Sequence, residues 1–129
     1  MKLFFTSLFI LLNSALALSQ QAEFSLLEKK TIKFPDTKAG KILEHTFNFK
    51  NTGKQPLIIE GYEVECDCTK LIFPKEAIQP EESGELKLTF DTSGKYYFQD
   101  RIVLLKTNTK KQTEKIRLKV YVTPQGNIK

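Results

Sequence analysis

The chain has little of what catalytic and metal sites are usually built from. Its 129 residues include one histidine, His45, and two cysteines, Cys66 and Cys68. The one methionine is Met1, so the rest of the chain offers no thioether ligand of the kind that commonly holds copper. Zinc prefers four protein ligands, and one histidine with two cysteines falls short of that. A Cys–His catalytic dyad also needs a group to orient the base, and these three residues make no case for one. No G-x-S-x-G, H-E-x-x-H, Walker or dinucleotide-binding fingerprint is present. There is no internal repeat, low-complexity segment or linker. No apolar run approaches the roughly 20 residues that span a bilayer.

What is there begins at the N-terminus. Met1-Lys2 is followed by an apolar run from Leu3 to Leu12 and then by Ser14-Ala15-Leu16-Ala17. A basic start, a short apolar stretch and an Ala-x-Ala site describe a secretory signal peptide over residues 1–17, cleaved near Ala17. The competing reading is an uncleaved anchor or a buried N-terminal helix. No cysteine lies near the cleavage site to carry a lipid. The remaining chain of roughly 110 residues is the length of one domain and is expected to bury a sufficient core without staples. Removing the leader takes away Lys2 and lowers the formal charge from +5 to +4. Arginine occurs only at Arg101 and Arg117. A modest lysine excess in an exported protein reads as a solvated surface, so no nucleic-acid partner is expected.

Short alternating runs separated by turn residues fill the rest of the chain. Ile32 and Phe34 alternate before Pro35-Asp36. Leu43, His45, Phe47 and Phe49 share one face of the next run, and Asn51-Thr52-Gly53 turns the chain on the positive φ that Asn and Gly tolerate. Leu57-Ile58-Ile59 is apolar on both faces, as in a central strand, and Gly61 suggests a bulge. Phe47 to Ile59 therefore reads as one hairpin-like step. Cys66 to Phe73 reads as extended. Ile78 anchors a polar loop through Gly84, after which Leu86, Leu88 and Phe90 face inward. Asp91-Thr92-Ser93-Gly94 is a turn, and Ile102 to Leu105 a buried run. Ile116, Leu118, Val120 and Val122 alternate with Lys115, Arg117, Lys119 and Tyr121, the cleanest period-two pattern in the chain. About seven strands at spacings of roughly ten residues predict an all-β, immunoglobulin-like antiparallel sandwich over residues 24–122, with a closed barrel as the alternative and a loose tail over 123–129. Phe47, Phe49, Leu88 and Phe90 are expected to interleave between the sheets, and Gly53 and Gly94 to adopt conformations that a side chain would penalise.

The order of these features resembles a known family. F-N-F-K-N-T-G-K-Q-P-L-I-I over 47–59 is followed by C-D-C-T over 66–69. Then come I-Q-P-E-E-S-G-E-L-K-L-T-F-D-T-S-G-K over 78–95, Asp100-Arg101-Ile102-Val103, Lys106-Thr107-Asn108 and a closing I-R-L-K-V strand. This is similar to a family of small exported bacterial proteins, common in Bacteroidetes-type genomes and labelled a domain of unknown function. That family's fold is like that of major-sperm-protein and Hydin-type immunoglobulin-like domains. The resemblance covers about residues 24 to 122. The family usually has glycine between its paired cysteines, where this chain has Asp67. Its motifs are framework residues; they imply the fold and bring no reaction or cofactor.

Two clusters are candidates for function. In a strand, residues two apart point to one face, which places the Cα atoms of Cys66 and Cys68 near the upper end of the range a disulfide allows. Four readings stay open: a local disulfide, two separate thiols, pairing with another chain or redox partner, and a soft-metal site such as Cu(I) on two thiolates. The second cluster is Tyr96, Tyr97 and Phe98. Three consecutive aromatics cannot all point inward from a strand, so they read either as a contact site for a protein or a glycan, or as a loop folded over the sandwich end with a hydroxyl tied to backbone. His45 reads as a histidine at the rim of the core. Lys115, Arg117 and Lys119 read as a solvated face or as guards of an edge strand. The expectation is an exported, periplasmic or extracellular, non-enzymatic module without a cofactor. It would bind a protein of the cell envelope through a sheet edge or its end loops. The alternative is a thiol-redox or metal-handling protein built on Cys66 and Cys68, and a weaker one a glycan-binding accessory domain built on the three aromatics.

Overall fold

The computed structural model describes residues 21–124. The expected signal peptide, and all but the start of the expected tail, lie outside the described residues.

Nine strands form two sheets, with no helix among the described residues. They are β1 (Phe24–Leu26), β2 (Thr31–Lys33), β3 (Thr37–Lys38), β4 (Ile42–Asn51), β5 (Ile59–Glu63), β6 (Thr69–Ile72), β7 (Ser83–Asp91), β8 (Tyr97–Thr107) and β9 (Thr113–Thr123). One sheet has the order β1-β4-β7-β6. The other has the order β2-β9-β8-β5, with β3 also paired to β9. The fold is the all-β, immunoglobulin-like sandwich that the alternation predicts. The two strands beyond the expected seven, β1 and β3, are too short to show a period.

Period-two alternation builds the core directly. Phe47, Phe49, Leu86, Leu88 and Phe90 face inward from one sheet, and Val103, Leu105, Ile116, Leu118, Val120 and Val122 from the other. All are essentially inaccessible to solvent. Truncating one of these phenylalanines to alanine costs about 3–5 kcal/mol.

Several local readings change. Phe47–Ile59 is not a hairpin: β4 pairs with β1 and β7, whereas β5 pairs with β8, so the chain changes sheets between Asn51 and Ile59. Leu57-Ile58-Ile59 is not a central strand. Leu57 exchanges backbone hydrogen bonds with Ile78, Ile58 is half exposed, and β5 is an edge. The register shift at Gly61 is the expected bulge.

Asn51 organises the crossover. Its fully buried side chain donates through Nδ2 to the carbonyls of Gln55 (2.7 Å) and Ile78 (2.9 Å), while Oδ1 accepts the Gly53 N–H (2.9 Å). None of Asn51, Thr52 and Gly53 has a positive φ. Gly53 is needed instead for close approach, since a Cβ there would collide with the backbone of Gln21 to Glu23. Gly94, at φ +69°, is the left-handed turn residue. The cationic stripe is not on an edge either. β9 lies between β8 and the parallel strands β2 and β3, and its Arg117 is ion-paired with Asp100.

Candidate functional site

Both candidate clusters lie at one end of the sandwich. β7 ends at Asp91, the turn Thr92–Tyr96 crosses sheets, and β8 starts at Tyr97. The Asp91 N–H donates to the Cys68 carbonyl (2.8 Å), which holds the cysteine segment at that same end.

The cysteines do not lie in a strand. Extended structure begins only at Thr69; Asp67 and Cys68 form a turn as the chain passes from β5 to β6. The turn brings the Cys66 and Cys68 Cα atoms to 5.1 Å, inside the range a disulfide allows, and the two sulfurs are joined as one. Backbone bonds hold the turn independently: the Thr69 N–H donates to the Cys66 carbonyl (3.1 Å) and the Cys68 N–H points at Cys66 Sγ (3.1 Å). Both cysteines are partly exposed, and Cys68 packs on the core rim. No group of three or more metal-ligating side chains exists among the described residues. His45 is not near the cysteines. It sits at the rim of the core on the other flank, with Nε2 2.8 Å from Glu28 and its ring edge-on to Phe47.

The chain leaves β8 before it reaches this turn. β5 pairs with β8 only as far as Glu63 opposite Leu104. β9 continues alongside β8 down to Tyr97. Among the described residues, no strand and no backbone hydrogen bond covers the other side of Tyr97–Val103. Alternate N–H and C=O groups on that side are therefore unpaired.

Side chains around this edge are apolar and exposed. Tyr96, Tyr97 and Phe98 are each more than half accessible, and Ile102 and Tyr121 nearly so. Phe98 stands opposite Tyr121 in the register, and the rings of Tyr97 and Tyr121 lie 6.3 Å apart. The three consecutive aromatics thus do not fold over the sandwich end, and no tyrosine hydroxyl is tied to backbone among the described residues. Tyr97 has φ +65°, which for a non-glycine residue costs on the order of 1 kcal/mol. It turns the ring outward, although the residue opposite, Val122, is buried.

Charge around the edge is arranged by face. Outward, Asp100 accepts two hydrogen bonds from Arg117, at 2.6 and 2.5 Å. Those bonds hold the Asp100 carboxyl below its ordinary pKa, with Arg117, Lys119 and Arg101 adding charge attraction. Inward, Arg101 lies 5.8 Å from the Phe90 ring centroid and donates through a terminal nitrogen to Gln99 Oε1 (2.7 Å). Its Nε is buried without a partner, and it forms no ion pair among the described residues. Arg101 was not a candidate in the sequence, where Asp100-Arg101-Ile102-Val103 enters only among the motifs of the resemblance; the register places it on the inner face.

At the opposite end, an open cleft of about 700 Å³ separates β1 from the Thr109–Glu114 segment. No helix among the described residues is long and apolar enough to cross a membrane.

Solved structures carry the same fold. A protein of unknown function from Porphyromonas gingivalis W83 superposes with a TM-score of 0.68 at 14% identity, over 80% of this chain and 48% of that one. This chain thus spans about half the length of that protein. The ASH/PapD-like domain 7 of human CEP192 gives 0.58 at 14% identity, over 84% and 89%. The YadV chaperone gives 0.50 at 14% identity, over 84% and 54%. No curated protein matches the chain. The model of the family described as "Protein of unknown function (DUF1573)" matches residues 26–122, and the chain belongs to that family.

Proposed function

We propose that the chain is an exported, non-enzymatic module that binds a protein partner of the cell envelope by accepting an extended segment along β8. The observation that carries this reading is the uncovered edge at Tyr97–Val103, flanked by exposed Phe98 and Ile102. Natural sheets usually blunt such edges with lysine, proline or a covering loop. This stretch holds no lysine or proline, and exposed apolar side chains stand beside its free backbone groups, the combination that strand addition uses. Export is supported by the leader-like residues 1–17.

The test is site-specific photo-crosslinking in the native cell. A crosslinking amino acid at Phe98 or Ile102 should give one discrete protein adduct, while one at Thr113, at the far end of the sandwich, should not. Identical adduct patterns from all three positions contradict edge binding.

A second reading is favoured by the partly exposed disulfide between Cys66 and Cys68. A thiolate of a dithiol partner would attack one sulfur, form a mixed disulfide and release the other cysteine as a thiolate. The partner's second thiol would then displace the first bond, leaving the partner oxidised and this chain with two thiols. Thiol titration after incubation with a reduced dithiol protein should find two new thiols per chain. Finding none removes this reading.

A further inference from the structure

The geometry points to a specificity element in the proposed docking edge: Arg101 reads a carboxylate on the incoming strand. This rests on the strand-addition reading and names the chemistry of the segment accepted.

A guanidinium offers five N–H donors and no acceptor. Those of Arg101 are poorly used. One terminal nitrogen donates to Gln99, Nε is buried and unpaired, and no carboxylate is within ion-pairing distance among the described residues. Arg117, the chain's other arginine, is by contrast satisfied by Asp100 on the outer face of the same strand pair. A buried donor without a partner is costly, and here it faces the space between the sheets beside the stretch of β8 that has no neighbour.

The register converts this into a pattern. β5, which covers the upper part of β8, runs antiparallel to it, and a strand continuing that layer has its side chains directly opposed to those of β8 on the same face. Apolar residues would stand opposite Ile102 and Phe98 on the outer face, and Asp or Glu opposite Arg101 on the inner face. Read from its N-terminus, the incoming segment is apolar, acidic, any, any, apolar.

The β8 strand of a second copy does not fit that pattern. The one acid in the open stretch of β8 is Asp100. It lies on the outer face and is already held by Arg117, whereas Arg101 faces inward. Directly opposed residues share a face, so pairing β8 with another β8 brings no carboxylate to Arg101. Two other stretches of the chain have that order, but Leu43–Phe47 lies in β4, a strand paired on both sides, and Ala22–Leu26 is held in its own fold, with Ala22 buried, Phe24 stacked on Phe49 and Glu23 accepting from Thr52. The occupant is therefore an acidic-aliphatic segment of a different protein.

The test uses the purified protein and two synthetic peptides, acetyl-Thr-Val-Glu-Thr-Thr-Val-Thr-amide and the same peptide with glutamine for glutamate. Binding is followed by NMR on the amides and by titration. The glutamate peptide should perturb Tyr97–Val103 and bind about tenfold more tightly than the glutamine peptide. In the Arg101→Gln protein that preference should vanish. Equal affinity of the two peptides along β8 in the unmodified protein overturns the carboxylate assignment while leaving strand addition standing, whether or not the variant folds. Perturbations elsewhere, no binding by either peptide, or self-association through Phe98 and Ile102 that excludes both peptides overturns the assignment and the edge reading together.

Discussion

Reducing the Cys66–Cys68 bond separates a structural staple from a chemical one. In the chain-entropy account, a disulfide stabilises by restricting the unfolded chain, and the effect grows with the length of the loop it closes. This bond closes three residues, the smallest loop two cysteines of this spacing allow. With three residues in the loop, that relation gives about 1.6 kcal/mol at 25 °C. The turn also has support that survives reduction, from the Thr69 N–H on the Cys66 carbonyl and the Asp91 N–H on the Cys68 carbonyl. At roughly 2 cal/mol/K of unfolding entropy per residue over about 100 ordered residues, a loss of about 1.6 kcal/mol lowers Tm by about 8 °C. Urea and thermal unfolding with and without a reductant, repeated on the Cys66→Ser/Cys68→Ser protein, measures this. The transition should stay cooperative with an unchanged m-value. A loss above about 3 kcal/mol, the cost of truncating a core phenylalanine, refutes the loop-length reasoning and makes the bond a staple of the fold.

Other residues give independent tests. Asn51→Ala leaves the buried Gly53 N–H and the Gln55 carbonyl without their Asn51 partner, while the Ile78 carbonyl keeps the Leu57 N–H; at about 1–3 kcal/mol per orphaned group with partial relaxation, a loss of about 2–3 kcal/mol in urea unfolding is expected. Gln112 sits at φ +66° in the β8–β9 turn, so Gln112→Gly should relieve left-handed strain and raise stability by about 0.5–1 kcal/mol in the same assay. Acid should destabilise the fold through Glu28 and Asp100. Partial burial pushes the Glu28 carboxyl up, but the Asn48 N–H and His45 outweigh it and the net shift is downward. Asp100 is held low first by its hydrogen bonds from Arg117. Because both folded pKa values lie below the unfolded ones, this stability is fully present above the ordinary carboxylate range and is lost as pH falls through the folded values. The urea midpoint should fall steadily below about pH 4, and less steeply in Asp100→Asn; an equally steep fall there contradicts the assignment.

The sandwich and its core were legible because alternation reports burial. Ile116 to Val122, and Leu86 to Phe90, declare an inner face without any knowledge of their neighbours. Alternation does not report partners, so Phe47–Ile59 reads as a hairpin although Asn51 hands the chain to the other sheet. The start of β8 was hidden for a different reason. Tyr96-Tyr97-Phe98-Gln99-Asp100 shows no period, because the left-handed Tyr97 turns a ring outward where the register calls for an inward residue. The aromatic cluster was nonetheless singled out, since three adjacent rings cannot all be buried. The uncovered edge and the unpartnered Arg101 were not legible at all. Both depend on where β5 leaves β8, after Glu63, and on the turn at Cys66–Cys68 by which the chain passes to β6 in the other sheet, a stretch that the sequence presents as extended.

The central claim is that β8 offers a free edge, and amide hydrogen exchange on the intact protein tests it most directly. Within Tyr97–Val103, the amides that face β9 should be strongly protected while the alternate amides facing away exchange as fast as those of exposed loops. Slow exchange at every amide of that stretch in the unliganded protein would mean that the edge is already covered, and would contradict the account.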